Sequence, residues 1–325
     1  MDPKPLHIGR HRQAGRNRLF VVGSDPGTPL WIAKQTAGDR AAECWFYSEK
    51  SIPLSFVPKC LAARSSDSVT VTEYVAAESL QEIGSADPGK ALALHATLAP
   101  LLAELHALSH FGTAPSAVIP VLQVDPVDAY FLASASPAAA DLLARIQSRP
   151  RLTRALKQIF RRPGPTGLIH GDLKADNILS RCPPQSMRHR KRPRLTIIDW
   201  ELCGRGPLGW DLGSVIGSMV TLWGRNVALS DGAEPADWIA EGRVTFDSLH
   251  RAVRTFMSTY LGHAGDRVSI APRACVSAFA AAWMVSRMLV EAAQAYRPSA
   301  THALLLIIAE QLCVDPFELF GDLSW

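Results

Sequence analysis

Apolar positions follow two different rhythms along the 325 residues. Up to about residue 75 the apolar runs are short, and turn residues separate them. Residues 19–22 read as a strand, 23–29 as a Gly/Pro-rich turn and 30–34 as the return strand of a hairpin. Residues 39–50 read as a helix, and 56–61 and 68–74 as two further strands. Beyond residue 76 the apolar period lengthens to that of helices. Asp87 suits an N-cap and Pro88 the first helical position. The predicted helix carries Leu92, Leu98, Leu101, Leu102, Leu105 and Leu108, with a kink at Pro100. Residues 111–150 are rich in Pro, Ala and Ser, and 138–147 and 152–160 read as helices. Phe246, Leu249, Val253, Phe256 and Tyr260 repeat at helical spacing, and 279–289 and 303–313 supply further buried faces. Two short apolar runs interrupt this helical part, around Leu168-Ile169 and Leu195-Thr-Ile-Ile198; both read as buried strands with polar groups at their ends.

Composition adds limits. The length suits one large domain or two lobes, and 47% hydrophobic residues can fill a sizeable core. A net charge of +4 does not by itself imply nucleic acid. The charge is also local: Arg181, Arg188, Arg190, Lys191, Arg192 and Arg194 fall within fourteen residues that hold no acid. The cysteines (Cys44, Cys60, Cys182, Cys203, Cys275, Cys313) form no C-x-x-C pair, so neither a zinc knuckle nor a disulfide framework is expected. The start, Met1-Asp-Pro-Lys-Pro5, lacks the apolar run of a signal peptide. The longest apolar helix, 275–292, contains Arg287 and Glu291 and reads as a core helix, not a membrane span. A reducing cytoplasm is the expected compartment.

The chemistry concentrates in two places. His170, Asp172 and Asn177 stand at the spacing H-x-D-x-x-x-x-N, and Asp199 ends the second apolar run 27 residues after Asp172. Phosphoryl transfer from a nucleotide needs such a set: a carboxylate to orient the attacking hydroxyl, and an amide with a second carboxylate to hold the metal on the phosphates. A near-match to a P-loop, Gly84-Ser-Ala-Asp-Pro-Gly-Lys90-Ala91, is set aside. Ala91 lacks the metal-holding hydroxyl, Pro88 removes a cradle N–H, and Asp87 would face the phosphates.

At His170-Gly-Asp172 with Asn177, and at Ile198-Asp199-Trp200-Glu201, the sequence resembles the aminoglycoside phosphotransferase and choline-kinase-like family, a branch of the protein-kinase-like fold. The resemblance runs over roughly residues 13–290. It implies an α+β, bilobal fold: an N-lobe of nucleotide-binding sheet and helix over residues 1–75, and a mainly helical C-lobe over 76–325. It implies ATP and Mg2+ as cofactors. Lys34, in Trp31-Ile-Ala-Lys34, would pair the α- and β-phosphates, with Glu43 as its helix partner and Glu49 as the competing acid. Gly15 and Asn17 would belong to a loop over the phosphates, and the backbone at Glu73, Tyr74 and Val75 would read adenine. Asp172 would be the base or hydroxyl-orienting group, and Asn177 and Asp199 would be the metal ligands. Lys174 stands where protein serine/threonine kinases, unlike many small-molecule members, carry a lysine that neutralises the moving phosphoryl group; the alternative is an exposed basic side chain. His170 would brace the loop. Asp211 would cap the next helix and support the loop from beneath, and His106 would be a packed core histidine.

The departures from protein kinases matter too. Gly171 replaces the Arg of H-R-D, Trp-Glu follows Asp199, and eleven residues separate Asp199 from Asp211, too few for a phospho-regulated activation loop. The implied reaction is transfer to the hydroxyl of a small molecule, with neither nucleic acid nor membrane as a partner. An alternative acceptor is a Ser or Thr in a ribosomal precursor peptide, as in the kinase component of class V lanthipeptide-type synthetases, with a partner lyase. A third reading is a pseudokinase that binds without turnover. The basic insert at 181–194 is either a solvated loop or a dock for an acidic partner.

Overall fold

A computed structural model of the chain describes residues 7–10, 17–25, 27–36, 42–49, 54–108, 113–121, 124, 127, 129–159, 161, 163–181, 194–227 and 242–315. A five-stranded antiparallel sheet opens it, built from β1 (His7–Arg10), β2 (Arg18–Gly23), β3 (Pro29–Gln35), β4 (Cys60–Arg64) and β5 (Val69–Glu73) in the order β1-β2-β3-β5-β4. The helix α1 (Ala42–Ser48) lies between β3 and β4 in sequence. The β2–β3 turn is closed by Asp25, whose Oδ1 accepts from Gly27 N–H at 2.9 Å. This Asx closure fixes the hairpin register that sets Lys34 opposite Leu19 and, on the other side, opposite Thr70.

The rest is mostly helical. In chain order it comprises β6 (Glu78–Ser79), α2 (Leu80–Ala86), α3 (Pro88–Ala96), α4 (Ala99–His106), α5 (Ala129–Ser134), α6 (Pro137–Gln147), α7 (Pro150–Gln158) and β7 (Thr166–Ile169). These are followed by β8 (Ile178–Arg181), β9 (Arg194–Ile197), β10 (Gly204–Pro207), α8 (Leu208–Arg225), α9 (Phe246–Ala264), α10 (Arg273–Ala292) and α11 (Ala300–Val314). The short strands form a β6-β8-β9 sheet and a β10-β7 pair. The small strand-rich part and the helical part together are the protein-kinase-like, α+β architecture.

The centre of the helical part is α8, where every residue from Leu208 to Gly224 is buried. It crosses α10 so closely that a Cβ on Gly213 would lie 2.7 Å from the Ala280 backbone nitrogen. Only glycine allows that approach. Helix α10 is long and apolar enough to cross a membrane by composition, but most of it is buried within the fold, as a core helix requires.

Three expectations are corrected, and one helix is new. The predicted strand over 56–61 forms only from Cys60, because Leu54 and Phe56 are drawn into the core ahead of it. The helix expected to kink at Pro100 is instead two helices, α3 and α4, divided at Thr97-Leu98. Pro100 sits in the first turn of α4, where its missing N–H costs nothing. Helix α2 was not expected; Ser79 and Glu82 form a capping box at its start. Asp211 is not an N-cap: α8 begins three residues earlier, behind Pro207. The expected Asp87 cap does form, accepting from Lys90 N–H at 2.9 Å.

His95 on α3 is fully buried, its Nδ1 2.8 Å from Ala91 O and its Nε2 3.2 Å from Ser218 Oγ. Burial pulls its pKa from 6.5 down to about 4. The unfolded chain therefore takes up a proton there that the fold resists. Stability is present above pH 6.5 and is lost as pH falls toward 4, by about 3 kcal/mol. Urea midpoints measured across that window should fall with pH, and His95→Gln should flatten the decline.

Candidate active site

Strand β3 delivers Lys34 into the interior, with 8% of the residue exposed. Three carboxylates surround its ammonium. Glu43 Oε2, from the first turn of α1, lies at 2.9 Å, Glu201 Oε2 at 3.2 Å, and Asp199 Oδ1 is in direct contact. Burial works against the Lys34 charge, but the pull of Glu43, Asp199 and Glu201 outweighs it and holds the pKa above the usual lysine value. For Glu43 the balance runs the other way: burial pushes its pKa up despite Lys34. The Asp199 pKa is lowered, because Lys34 overcomes the cost of burial.

Asp199 gains this position through its backbone. It sits at φ 67°, ψ 60°, in the left-handed region, between β9 and a 3-10 turn at Trp200–Leu202. That conformation costs a non-glycine residue about 1–2 kcal/mol. The turn also brings Glu201 back to Lys34, and Asn17 Nδ2, just ahead of β2, donates to Glu201. Asn17 thereby reaches the site; Gly15 lies outside the described residues. Glu49 is not in the pairing with Lys34 and instead lines a separate cavity.

The second group forms after β7. Lys174 Nζ lies 2.5 Å from Asp172 Oδ2. Asn177 Nδ2 donates to Asp172 O at 2.9 Å and to its Oδ2 at 3.2 Å, which orients the amide and leaves Asn177 Oδ1 as an acceptor. His170 is fully buried, and burial lowers its pKa. Its Nδ1 accepts from Asp172 N–H at 3.2 Å while its Nε2 faces Ile198 O at 3.0 Å, so the neutral ring ties the two strand ends together. A stack of rings continues this tie: His170 packs edge-on to Trp200 at 4.6 Å, and Trp200 lies flat on Phe46 of α1 at 4.0 Å. The helix that carries Glu43 is thus fixed to the loop that carries Asp172.

Gly171 explains the missing arginine. Its φ is +86°, and a Cβ there would lie 2.6 Å from Leu202 O. Beneath the loop, Asp211 Oδ2 accepts from His170 N–H at 2.7 Å and Oδ1 from Gly171 N–H at 3.0 Å. His106 stands behind it, with Nε2 3.5 Å from Asp211 Oδ2 and Nδ1 2.8 Å from Tyr260 Oη. The support expected of Asp211 is therefore given by its side chain from within the helix. At the expected hinge, Glu73 N–H donates to Lys59 O at 2.9 Å and Tyr74 N–H to Leu30 O at 2.8 Å. The Val75 N–H has no partner among the described residues.

Sequence reasoning quoted Glu201 within its motif but gave it no task, and it missed the Phe46–Trp200–His170 stack. The signal for Glu201 was present: a second carboxylate two positions after Asp199, just past the end of a predicted strand.

The profile of the phosphotransferase enzyme family matches residues 41–238. That is more than half of the chain, and it spans both motifs; the chain belongs to this family and is a phosphotransferase. No curated protein matches the chain by sequence. Among solved structures, a choline/ethanolamine kinase family protein from Mesorhizobium loti is similar at 17% identity, TM-score 0.54, over 97% of this chain and 90% of that one. The choline kinase LicA from Streptococcus pneumoniae is similar at 14% identity, TM-score 0.53, over 94% of each chain. A thermostable mutant of aminoglycoside phosphotransferase APH(4)-Ia, in a ternary complex with ADP and hygromycin B, is similar at 12% identity, TM-score 0.51, over 98% and 95%. These likenesses show the fold.

Proposed function

We propose that this phosphotransferase moves the γ-phosphoryl group of ATP to the hydroxyl of a small molecule. One observation carries the reading. Asp172, Lys174 and Asn177 form one hydrogen-bonded group at the end of β7, tied through His170 to the strand end that sets Asp199 against Lys34. Asp172 accepts or orients the proton of the attacking hydroxyl. Lys174 meets the charge of the transferring group, and Lys34, held by Glu43, that of the inner phosphates. A binding module without turnover would not require Lys34, Glu43, Asp172, Asn177 and Asp199 together.

Magnesium fits the donor set. Asp199 and the Asn177 oxygen are hard ligands at neighbouring strand ends, and Glu201 stands beside them. Among the described residues no three His, Cys, Asp or Glu side chains form a metal cage. Mg2+ needs none, since it binds through one or two carboxylates together with phosphate and water oxygens. When bound, it supplies charge neutralisation on the phosphates.

A second acceptor class, Ser or Thr of a peptide, is favoured by the Lys174–Asp172 contact at 2.5 Å, since protein serine/threonine kinases carry a lysine at that spacing. Incubation with ATP and Mg2+ and a panel of choline, ethanolamine, aminoglycosides and Ser/Thr peptides, read by mass spectrometry, separates the cases. We expect phosphate on a small-molecule alcohol and tight nucleotide binding only with the divalent ion. Phosphopeptide alone would replace the acceptor class. Nucleotide binding with no turnover of any acceptor or of water would establish the binding module instead.

A further inference from the structure

A cavity of about 500 Å³ lies where the five-stranded sheet, the end of α1 and the β8–β9 hairpin meet. Lys34, Asp172, Asn177 and Asp199 take no part in its walls. Its cations are Lys59, Arg181 and Arg194, and its acids are Glu49 and Glu73. Phe46, Leu54 and Val57 add an apolar wall. The β8–β9 register sets Arg181 directly opposite Arg194, the last pair before the connection. Like charges directly opposite across a strand pair destabilise it. Arg194 Nη2 donates to Ser55 O at 2.8 Å, so its guanidinium is anchored at the cavity wall.

This arrangement has a charge to be answered. Both arginines are exposed, and an anion placed between them would relieve the cross-strand repulsion. Arginine suits the task, because its planar fork takes a carboxylate in two parallel hydrogen bonds. The walls narrow the choice of anion. A single-stranded nucleic acid tracks an open, uniformly basic groove. This cavity is concave, carries two acids of its own and has apolar side chains, the Phe46 and Tyr47 rings among them, beside its cations. Those features suit a short polypeptide, whose carboxylates and apolar side chains alternate over a few ångströms. We propose that the cavity docks an acidic peptide segment of a partner or acceptor, with one carboxylate bridging Arg181 and Arg194. Glu73 lies in the wall and its N–H is bonded to Lys59 O, so an occupant abuts the strand that leads to the expected hinge.

The test is fluorescence anisotropy with a fluorescein-labelled decaglutamate peptide, on the full chain, at low and at physiological salt. Binding is expected to weaken as salt rises and to weaken at least tenfold in the double variant Arg181→Gln, Arg194→Gln. Nucleotide affinity and melting temperature should be unchanged or, for the latter, slightly raised by relief of the repulsion. Binding that the double variant retains in full, or no binding by the parent chain at low salt, overturns the proposal. So does equal competition by oligo-dT or by phosphatidylserine vesicles, which would mark a general polyanion surface. The readout needs no turnover, so its failure is separate from failure of the phosphotransfer reading.

Discussion

Replacing Asp172 by asparagine should lower turnover by about 10²–10⁴-fold, the usual share of a general base. Nucleotide affinity should change little, because the groups around Lys34 (Glu43, Asp199 and Glu201) do not include Asp172. The side chain keeps its size, and its remaining oxygen can still accept from Lys174 or from Asn177. The loop should therefore hold its shape, and the melting temperature should stay within a few degrees. Steady-state kinetics on the best acceptor, beside a fluorescent-nucleotide titration, separate the two effects. A fall in nucleotide affinity as large as the fall in rate would mean that Asp172 acts through binding and not on the acceptor.

Asp211→Ala should be the most damaging change to stability near the site. The Asp211 side chain is fully buried and accepts two backbone N–H groups, from His170 and Gly171, with His106 behind it. Truncation leaves those donors without a partner in a place water does not reach. Each costs about 1–3 kcal/mol, so a total of roughly 3–5 kcal/mol is expected. The loss should appear as a lower urea midpoint and, in whatever folded protein remains, a reduced kcat with nearly normal nucleotide affinity. Asp211→Asn is the informative companion. Its amide offers one acceptor and one donor to two N–H donors, so it should recover only part of the loss. A variant as stable as the parent would remove Asp211 from the account of the loop.

The hydrophobic rhythm carried most of the architecture, because it reports burial directly. The hairpin that holds Lys34, the helix that holds Glu43 and the two strands that end at Asp172 and Asp199 are each short, local patterns. What the chain did not reveal locally depended on tertiary partners. The break at Thr97-Leu98 looks like a continuous leucine stripe in one dimension, since the stripe survives the break. Asp211 reads as a cap by residue type, but its partners lie about forty residues away in the chain. The stack of Phe46, Trp200 and His170 joins three segments that share no pattern. Glu201 needed only the step from a motif to a face, since Asp199 and Glu201 meet the same ammonium.

The short connection from Asp199 to Asp211 has one more consequence. Its β10 portion pairs with β7 along one edge. On the other, Arg205 N–H donates to Pro115 O at 2.7 Å and Arg205 O accepts from Ala117 N–H at 2.9 Å. In a protein kinase the corresponding stretch is an arm that swings; here it is a rung between two neighbours. Displacing it would tear a ladder of main-chain bonds, so a covalent tag on this stretch has no hinge to work. Turnover by the purified chain is therefore expected without prior phosphorylation, and a protein that stays silent until phosphorylated would contradict this.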